Sequence, residues 1–262
     1  MKTIHDIVII GAGNAAVNLA HAFRKAGKNI LCIYSRDAAK AQRLANSVDA
    51  DFTDKLEMLP KKADLFLIAV TDSAIAEVAE KLSHTEGIMA HTSGSVNISA
   101  LGKRPAGQGV FYPLMHLSSE NIMDFTMVPL CIEASNEKTM QELWQLAGTI
   151  SEKVFSVTSD ERKIVHLAAV FACNFSNLNY IIAEEILKKN GLPFALLHPL
   201  IAGLAGKIQT ASPSTIMTGP AIREDFAVIS AHLNMLERTP LYQEIYKILT
   251  ETIIQKKKNN EL

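Results

Sequence analysis

Residues 7–36 read IVIIGAGNAAVNLAHAFRKAGKNILCIYSR, and this segment determines the architecture expected for the chain. An apolar run of strand length, residues 7–10, leads into a turn with two glycines, and helical spacing follows over residues 15–25. Gly27 stands where a helix C-cap belongs, and a second apolar run occupies residues 30–34. The segment therefore predicts a βαβ unit with two parallel strands.

The turn inside this unit, Gly-x-Gly-x-x-Ala, is the predicted cofactor site. Gly11 permits the tight turn, Gly13 lets a pyrophosphate approach the backbone, and Ala16 allows the helix to pack closely on the strand. The N-terminus of the helix then faces the phosphates. In this context the turn predicts dinucleotide binding, and a Rossmann-like fold that binds nothing there is the alternative. The predicted contacts of the turn are Gly11, Ala12, Gly13, Asn14 and Ala15.

The end of the second strand predicts which dinucleotide binds. An NAD site carries Asp or Glu there, about 20 residues after the glycines, whereas this chain has Tyr34, Ser35 and Arg36. A guanidinium pairs with a 2′-phosphate and Ser35 can donate to it, so the pattern favours NADP. In the alternative interpretation Arg36 is a surface residue and Asp37 binds the ribose. The missing acid also counts against S-adenosylmethionine.

Strand and helix patterns continue to alternate until Val157, and only helical patterns follow. A capping box of Thr158 and Glu161 starts a long helix that reaches about residue 189, and Pro193 and Pro240 can open later helices. These patterns predict an α/β fold, a Rossmann-type, doubly wound, mainly parallel sheet followed by an all-helical C-terminal domain. The predicted domains are residues 1–157 and 158–262. The other predicted strands are residues 65–70, 87–91, 110–112, 128–133 and 153–157, and the other predicted helices of the first domain are 38–47, 75–82 and 140–150.

Polar residues follow several predicted strands at the edge where open α/β sheets hold ligands. Val70 and Thr71 are predicted to line the dinucleotide, and Asp72 is interpreted as a helix N-cap. The next strand ends in Ser93, Gly94 and Ser95, a group that can bind a carboxylate or carbonyl oxygen; a turn with local hydrogen bonds only is the alternative. His116 follows another strand and is a candidate proton donor, although an isolated histidine is more often structural.

The helical half carries further candidates. His166, Cys173 and Asn177 fall near one line of an α-helix, with Asn174 to one side. His166 and Asn174 could reach substrate over the nicotinamide, or could bond to neighbouring helices. Arg223 could bind an acidic substrate, whereas a bond to Asp225 or an N-cap by Asp225 is the structural alternative.

The composition restricts the class of protein. The chain has 262 residues, 48% of them hydrophobic and 20% charged, which excludes a disordered or fibrous chain. A net charge of -1 gives no field for nucleic acid or anionic lipid, so a small-molecule partner is expected. Three separated cysteines in apolar runs suit a reducing compartment, and we predict a cytoplasmic protein without a metal site. No stretch reaches the roughly 18 uninterrupted apolar residues of a membrane helix.

With these residues in place, the chain resembles a bacterial family of Rossmann-like NADP oxidoreductases whose helical C-terminal half is a domain of unknown function. The resemblance spans nearly the whole chain and, more distantly, extends to pyrroline-5-carboxylate reductase, deazaflavin-dependent NADP reductases and β-hydroxyacid dehydrogenases. It implies NADP(H) in the first domain and a helical second domain that often dimerises. The motifs that carry it are residues 11–16, 91–95, 112–116, 166–174 and 218–225.

The chain also departs from these relatives. β-Hydroxyacid dehydrogenases carry a catalytic Lys one helical turn before an Asn, whereas here Val170 stands four residues before Asn174, so that role is not transferred. The signature of pyrroline-5-carboxylate reductase in the helical half is also missing.

Taken together, the residues and the resemblance predict an NADP(H)-dependent oxidoreductase that transfers a hydride between nicotinamide and a small C=O or C=N substrate bound between the domains. The catalytic candidates are His116, Ser93, Asn174 and His166, and the substrate-binding candidates are Ser93, Gly94, Ser95 and Arg223. The alternative is a non-catalytic NADP(H) sensor whose helical domain reports occupancy to a partner or across a homodimer.

Overall fold

The computed structural model describes residues 3–262, and an eight-stranded sheet forms its centre. The strand order is β3-β2-β1-β4-β5-β6-β7-β8, and neighbouring strands are parallel except for the antiparallel pair β6 and β7. The predicted doubly wound, mainly parallel sheet is therefore confirmed. The strands are β1 (Asp6–Ile10), β2 (Asn29–Tyr34), β3 (Asp51–Thr53), β4 (Lys62–Ile68), β5 (Glu86–His91), β6 (Gln108–Pro113), β7 (Leu130–Ala134) and β8 (Val154–Ser156).

Helices cover both faces of this sheet. Helices α1 (Asn14–Lys25) and α2 (Ala38–Val48) lie on one face, where Ile7 and Ile9 of β1 belong to the core. Helix α3 (Ile75–Lys81) lies on the other face with Val8 and Ile10, and α4 (Glu137–Gly148) returns to the first. Successive side chains of a strand point to opposite faces, so β1 is apolar throughout because both faces are buried.

The strand order reverses at β1, which lies between β2 and β4. A crevice opens at the carboxyl ends of the strands at such a switch point, and this is where ligands bind in open α/β sheets. The sequence patterns did not predict β3, a three-residue edge strand in which Phe52 is exposed. A strand this short with polar ends gives no alternation to detect.

The C-terminal part of the described chain is helical, as predicted. The predicted capping box is confirmed: Thr158 Oγ1 accepts the Glu161 N–H, and the Glu161 carboxylate accepts the Thr158 N–H at 2.7 Å. Pro240 opens the last helix, whereas Pro193 precedes a short 3-10 turn. The helices are α5 (Ser159–Ala169), a π-helical turn (Val170–Phe175), α6 (Ser176–Lys189), α7 (His198–Ile208), α8 (Pro220–Arg223), α9 (Phe226–Met235) and α10 (Pro240–Lys258).

The chain divides into two compact units, one ending at Asn174 and the other comprising Phe175–Leu262. The predicted boundary after Val157 lies earlier because the sequence shows where strands stop, not where contacts with the sheet stop. Helix α5 belongs to the sheet unit, since Arg162 in its first turns is fully buried against Glu133 of β7.

The second unit has few buried side chains for its size. Among its described residues only Ala221, Ile229 and Thr250 are buried, whereas Leu200 and Met235 are 70% and 78% exposed. Polar links hold parts of it together, such as the bond from the Tyr242 hydroxyl to Glu185 at 2.6 Å. The continuous helix Ser159–Lys189 is long and apolar enough to cross a membrane by length and composition, and its most apolar window is not buried. Core helices of soluble proteins meet the same two criteria.

Candidate cofactor cleft and reaction site

A cleft of about 600 Å³ opens at the carboxyl ends of β1, β2 and β4, at the switch point of the sheet. The cleft extends to Thr92, directly before the Ser93–Ser95 loop. It brings together every residue for which the sequence predicts a cofactor contact, namely Gly11, Ala12, Gly13, Asn14, Ala15, Ser35, Arg36, Val70 and Thr71.

The glycines of the turn have the geometry that a dinucleotide requires. Gly11 has a φ of +130°, and a Cβ there would lie 2.1 Å from the Ala69 carbonyl oxygen, so only glycine fits. A Cβ on Gly13 would meet nothing within 4 Å, so the absent side chain leaves space above the backbone. No side chain caps α1 and no acid occurs in its first turn. Its first-turn amides therefore remain available to an anion, and a pyrophosphate fits this position.

At the adenosine end of the cleft, the structure shows how Ser35 and Asp37 are used. Ser35 Oγ accepts the Asp37 N–H at 3.2 Å, which leaves the Ser35 hydroxyl hydrogen for another acceptor. The Asp37 carboxylate caps α2 by accepting the Lys40 N–H at 3.1 Å. Asp37 thus has a structural role, which weakens the alternative that it binds the ribose.

Three charged residues of the cleft were not predicted from the sequence. Lys40, Glu77 and Lys81 also line its adenosine end. Glu77 and Lys81 of α3 face the cleft only because β4 lies beside β1. The local sequence does not indicate which strands are neighbours in the sheet.

Hydrogen bonds within the loop fix the conformation of residues 93–95. Ser93 is buried, and its Oγ accepts the N–H groups of Ser95 and Val96, both at 3.1 Å. The Ser95 hydroxyl donates a short hydrogen bond to the Asp72 carboxylate. The predicted N-cap role of Asp72 is wrong, because α3 is preceded by Ala74 without a side-chain cap and Asp72 binds across to the next strand end instead.

A tyrosine and a histidine meet beside this loop. The Tyr112 hydroxyl oxygen lies 3.2 Å from His166 Nδ1, and both side chains are partly buried. Gly94 packs against the pair, since a Cβ there would lie 2.7 Å from His166 Nδ1 and 2.9 Å from the Tyr112 oxygen. Burial raises the pKa of Tyr112, so its hydroxyl stays protonated at neutral pH. The structure therefore brings two predicted features, the Ser93–Ser95 loop and His166, into contact with each other. It adds Tyr112, for which the sequence predicted no role.

A buried ion pair positions both the loop and His166. The guanidinium of Arg162 donates to the carboxylate of Glu133 and to the carbonyl of Val96, and both bonds are short. Ser159 donates to Glu133 at 2.8 Å and accepts the Ile98 N–H at 3.1 Å. His166 lies one helical turn after Arg162, so anchoring Arg162 fixes the face that His166 presents.

The ion pair also affects His91, at the end of β5. His91 pairs with Val110 of β6 and Val110 pairs with Glu133 of β7, so the three side chains share one face of the sheet. Burial, followed by the charge of Arg162, lowers the pKa of His91 to about 4. His91 is therefore neutral at physiological pH, and its Nδ1 accepts the Ser93 N–H at 3.2 Å.

The other candidates do not join this group. His116 is exposed in the loop after β6, and Asn174 is exposed at the end of the sheet unit. The predicted line through His166, Cys173 and Asn177 is wrong, because the π-helical turn Val170–Phe175 interrupts the α-helical period between them.

Arg223 is exposed at the end of α8. The structural alternative for this segment is confirmed in one respect: Asp225 caps α9 by accepting the Val228 N–H at 3.2 Å.

Comparisons with known proteins agree with this geometry. Residues 6–92 match the family described as NADP oxidoreductase, coenzyme F420-dependent, and residues 128–253 match a domain of unknown function, DUF2520. A candidate NADP oxidoreductase from Bacteroides fragilis is 40% identical over 96% of this chain and 98% of its own, with a TM-score of 0.91. The chain belongs to this NADP oxidoreductase family. The cofactor class predicted from Ser35 and Arg36 is the one that the family carries in its description.

More distant structures share the fold. A protein of Thermotoga maritima is 25% identical over 94% of this chain and 99% of its own, with a TM-score of 0.77. A 1-pyrroline-5-carboxylate reductase of Streptococcus pyogenes is 15% identical over 96% and 97% of the two chains, with a TM-score of 0.64. The predicted resemblance to that reductase is thus confirmed at the level of the fold. No curated protein matches the sequence significantly.

Proposed function

We propose that this protein is an NADP(H)-dependent oxidoreductase that transfers a hydride between nicotinamide and a small C=O or C=N substrate at the Ser93–Ser95 loop. The observation that carries the proposal is one continuous cleft that contains the glycine turn, Arg36 and Thr92. Membership of an NADP oxidoreductase family supports the reaction class, and the shared fold with the 1-pyrroline-5-carboxylate reductase is consistent with a C=N substrate.

The cofactor contacts follow from the shape of the cleft. The uncapped first turn of α1 binds the pyrophosphate, and the bare backbone at Gly13 lets it approach. Arg36 and the Ser35 hydroxyl bind the 2′-phosphate, because a guanidinium and a hydroxyl donor both favour its oxygens. Val70 and Thr71 line the path from the glycine turn toward Thr92. When bound, the cofactor supplies or accepts the hydride.

The protein's own chemistry lies in orientation and proton transfer. The Asp72–Ser95 and Arg162–Glu133 contacts hold the loop and α5 in fixed positions. The Tyr112 and His166 pair can hold a proton at the ring nitrogen or the hydroxyl oxygen and deliver it to the developing alkoxide or amine. In this proposal His166 is the proton donor, while His116, Asn174 and Arg223 stay predictions from the sequence.

Cofactor titration tests the first half of the proposal. We would titrate the purified protein with NADPH, NADP⁺, NADH and NAD⁺ by calorimetry, and expect the phosphorylated pair to bind more tightly. Arg36→Ala should weaken NADPH binding by about tenfold and leave NADH binding nearly unchanged, since one charge-assisted contact is lost. Arg43→Ala is the matched control, because Arg43 is exposed on α2 and does not line the cleft. Equal losses for NADPH and NADH would contradict the phosphate assignment, and no nucleotide binding would contradict the proposed function.

Turnover tests the second half. NADPH oxidation would be followed with small cyclic imines, aldehydes and 2-oxo acids as substrates. His166→Ala should lower kcat by about 100-fold without changing NADPH affinity, in line with loss of a general acid. His116→Ala should have little effect on kcat. The reverse result would move the proton-donor role to His116.

The same proposal includes a homodimer through the helical unit and a cytoplasmic location. A second copy would cover the exposed apolar side chains of α6, α7 and α9. The same interface would bury the apolar surface of the helix Ser159–Lys189, so that surface would not require a membrane. Sedimentation of protein purified without detergent should show a dimer at micromolar concentration. A monodisperse monomer, or a protein that requires detergent, would contradict this part.

The exposed apolar surface also keeps the sensor alternative open, because a partner could read cofactor occupancy there. Binding of NADPH with no turnover on any tested substrate, together with a cofactor-dependent change in oligomeric state, would favour the sensor.

A further inference from the structure

The adenosine end of the cleft has two walls, and both carry charged side chains. Residues after β2 form one wall, with Arg36 and Lys40, and helix α3 forms the other, with Glu77 and Lys81. Three cations and two carboxylates therefore line this end, if Asp37 is counted with Glu77. Asp37 is occupied as the cap of α2, whereas Glu77 has no role in capping a helix.

Glu77 is placed among the cations of the site. Lys81 Nζ donates to Glu77 Oε1 at 2.6 Å, one helical turn along α3. The hydrogen bond from Lys81 and the charges of Lys81 and Arg36 lower the pKa of Glu77, so its carboxylate is ionised at neutral pH. Among residues 3–262, Arg36 forms no ion pair and Lys40 Nζ is 3.8 Å from Asp37. Glu77 is thus the carboxylate that Lys81 binds and on which the charge of Arg36 acts, whereas the carboxylate beside Lys40 is Asp37.

We propose that Lys81 is a second cation for the 2′-phosphate of the cofactor and that Glu77 is a resident anion that holds Lys81 until the phosphate takes its place. This inference rests on the proposed NADP(H) function. It assigns selectivity between NADPH and NADH to α3 as well as to the residues after β2.

The exchange of partners is physically accessible. The side chains of Lys81 and Glu77 are 55% and 65% exposed, and ion pairs at such sites are weak. A phosphate offers more charge and three acceptor oxygens, so it competes well with a single carboxylate for a flexible ammonium group. Glu77 also repels the phosphate, so the pair both recruits the 2′-phosphate and limits how tightly it binds.

The test measures binding of NADPH, NADH and adenosine 2′,5′-bisphosphate by calorimetry. Lys81→Met should weaken NADPH and the bisphosphate by about tenfold and leave NADH within twofold, because only the phosphate contact is lost. Lys81→Arg keeps the charge and should stay within about threefold of wild type. Glu77→Gln should bind NADPH severalfold more tightly, with NADH unchanged.

Two exposed residues provide matched controls. Glu80→Gln removes the same charge from the same helix, and Lys61→Met removes a lysine at the opposite, amino edge of the sheet; neither residue lines the cleft. Both should bind as wild type does.

The outcomes separate this inference from the proposed function. Wild-type preference for NADPH with no effect of Lys81→Met would overturn the inference and leave the function standing. Equal losses of NADPH and NADH would exclude a phosphate contact. Weaker NADH binding by Glu77→Gln, with NADPH unchanged, would show that Glu77 accepts the ribose hydroxyls instead. A wild-type protein that binds no nucleotide would overturn both.

Discussion

Replacing Arg162 by methionine removes the only cation that neutralises the carboxylate of Glu133 among the described residues. The Arg162 side chain is fully buried and that of Glu133 is 15% exposed. After the change, Glu133 keeps only the hydroxyl of Ser159, and the Val96 carbonyl loses its donor. Breaking a buried pair in this way costs about 3–5 kcal/mol, and the partial exposure of Glu133 places the expected loss near the lower end, about 3 kcal/mol.

The double variant Arg162→Met, Glu133→Leu separates charge from packing. It leaves no unpaired carboxylate, so it should recover most of the loss and lie within about 1.5 kcal/mol of wild type. Lys163→Met is the surface control, because Lys163 pairs with the exposed Asp160 at 3.1 Å, and we expect a change in the free energy of unfolding below about 0.5 kcal/mol.

Urea unfolding followed by far-UV circular dichroism, at one fixed protein concentration, gives the free energies of unfolding. The expected role of the ion pair would be contradicted if the free energy of unfolding of Arg162→Met lay within 1 kcal/mol of wild type, or if the double variant were less stable than Arg162→Met. Turnover provides an independent readout. Because Arg162 positions the helix that carries His166, the single variant should lose kcat before it loses NADPH binding.

Two other changes test the surroundings of the same loop. Gly94→Ala should destabilise the protein by about 1–3 kcal/mol, since its Cβ would lie 2.7 Å from His166 Nδ1, whereas Gly148→Ala, with nothing within 4 Å of its Cβ, should cost less than about 1 kcal/mol. Urea midpoints would show this, and equal effects would argue against the close packing. The lowered pKa of His91, about 4, means that the unfolded chain binds a proton below pH 6.5 that the folded protein does not. Stability should therefore fall between pH 6.5 and 4, by about 2 kcal/mol at pH 5, and this component should vanish in His91→Asn. An identical pH dependence in both proteins would contradict it.

The fold was predictable because its signals are local. The βαβ unit depends on apolar runs, the spacing of Gly11 and Gly13, and a C-cap glycine, all within residues 7–36. The predicted cofactor residues share this advantage, since they follow strand ends that must meet at one edge of a parallel sheet. Once the sheet was predicted to be parallel, it followed that these residues would lie in one cleft.

The rest of the site depends on contacts between distant segments. Tyr112 and His166 are 54 residues apart, and Arg162 and Glu133 are 29 apart. An arginine in the first turns of a helix looks like a solvated residue until β7 is known to lie beneath it. Glu77 and Lys81 similarly read as an ordinary surface pair of α3, and the strand order alone places them at the cleft.

A helix 31 residues long normally fixes the angle of every side chain along it, so one inserted residue turns all later side chains by about 100°. The turn Val170–Phe175 changes this, because each π-type bond spans one residue more than an α-helical bond. Arg162 and His166 keep the angle set by the sheet, while the apolar residues after Phe175 follow a separate phase. Deleting one residue in this turn would convert its π-type bonds to α-helical ones, so such a deletion is the length change that the helix can absorb most easily.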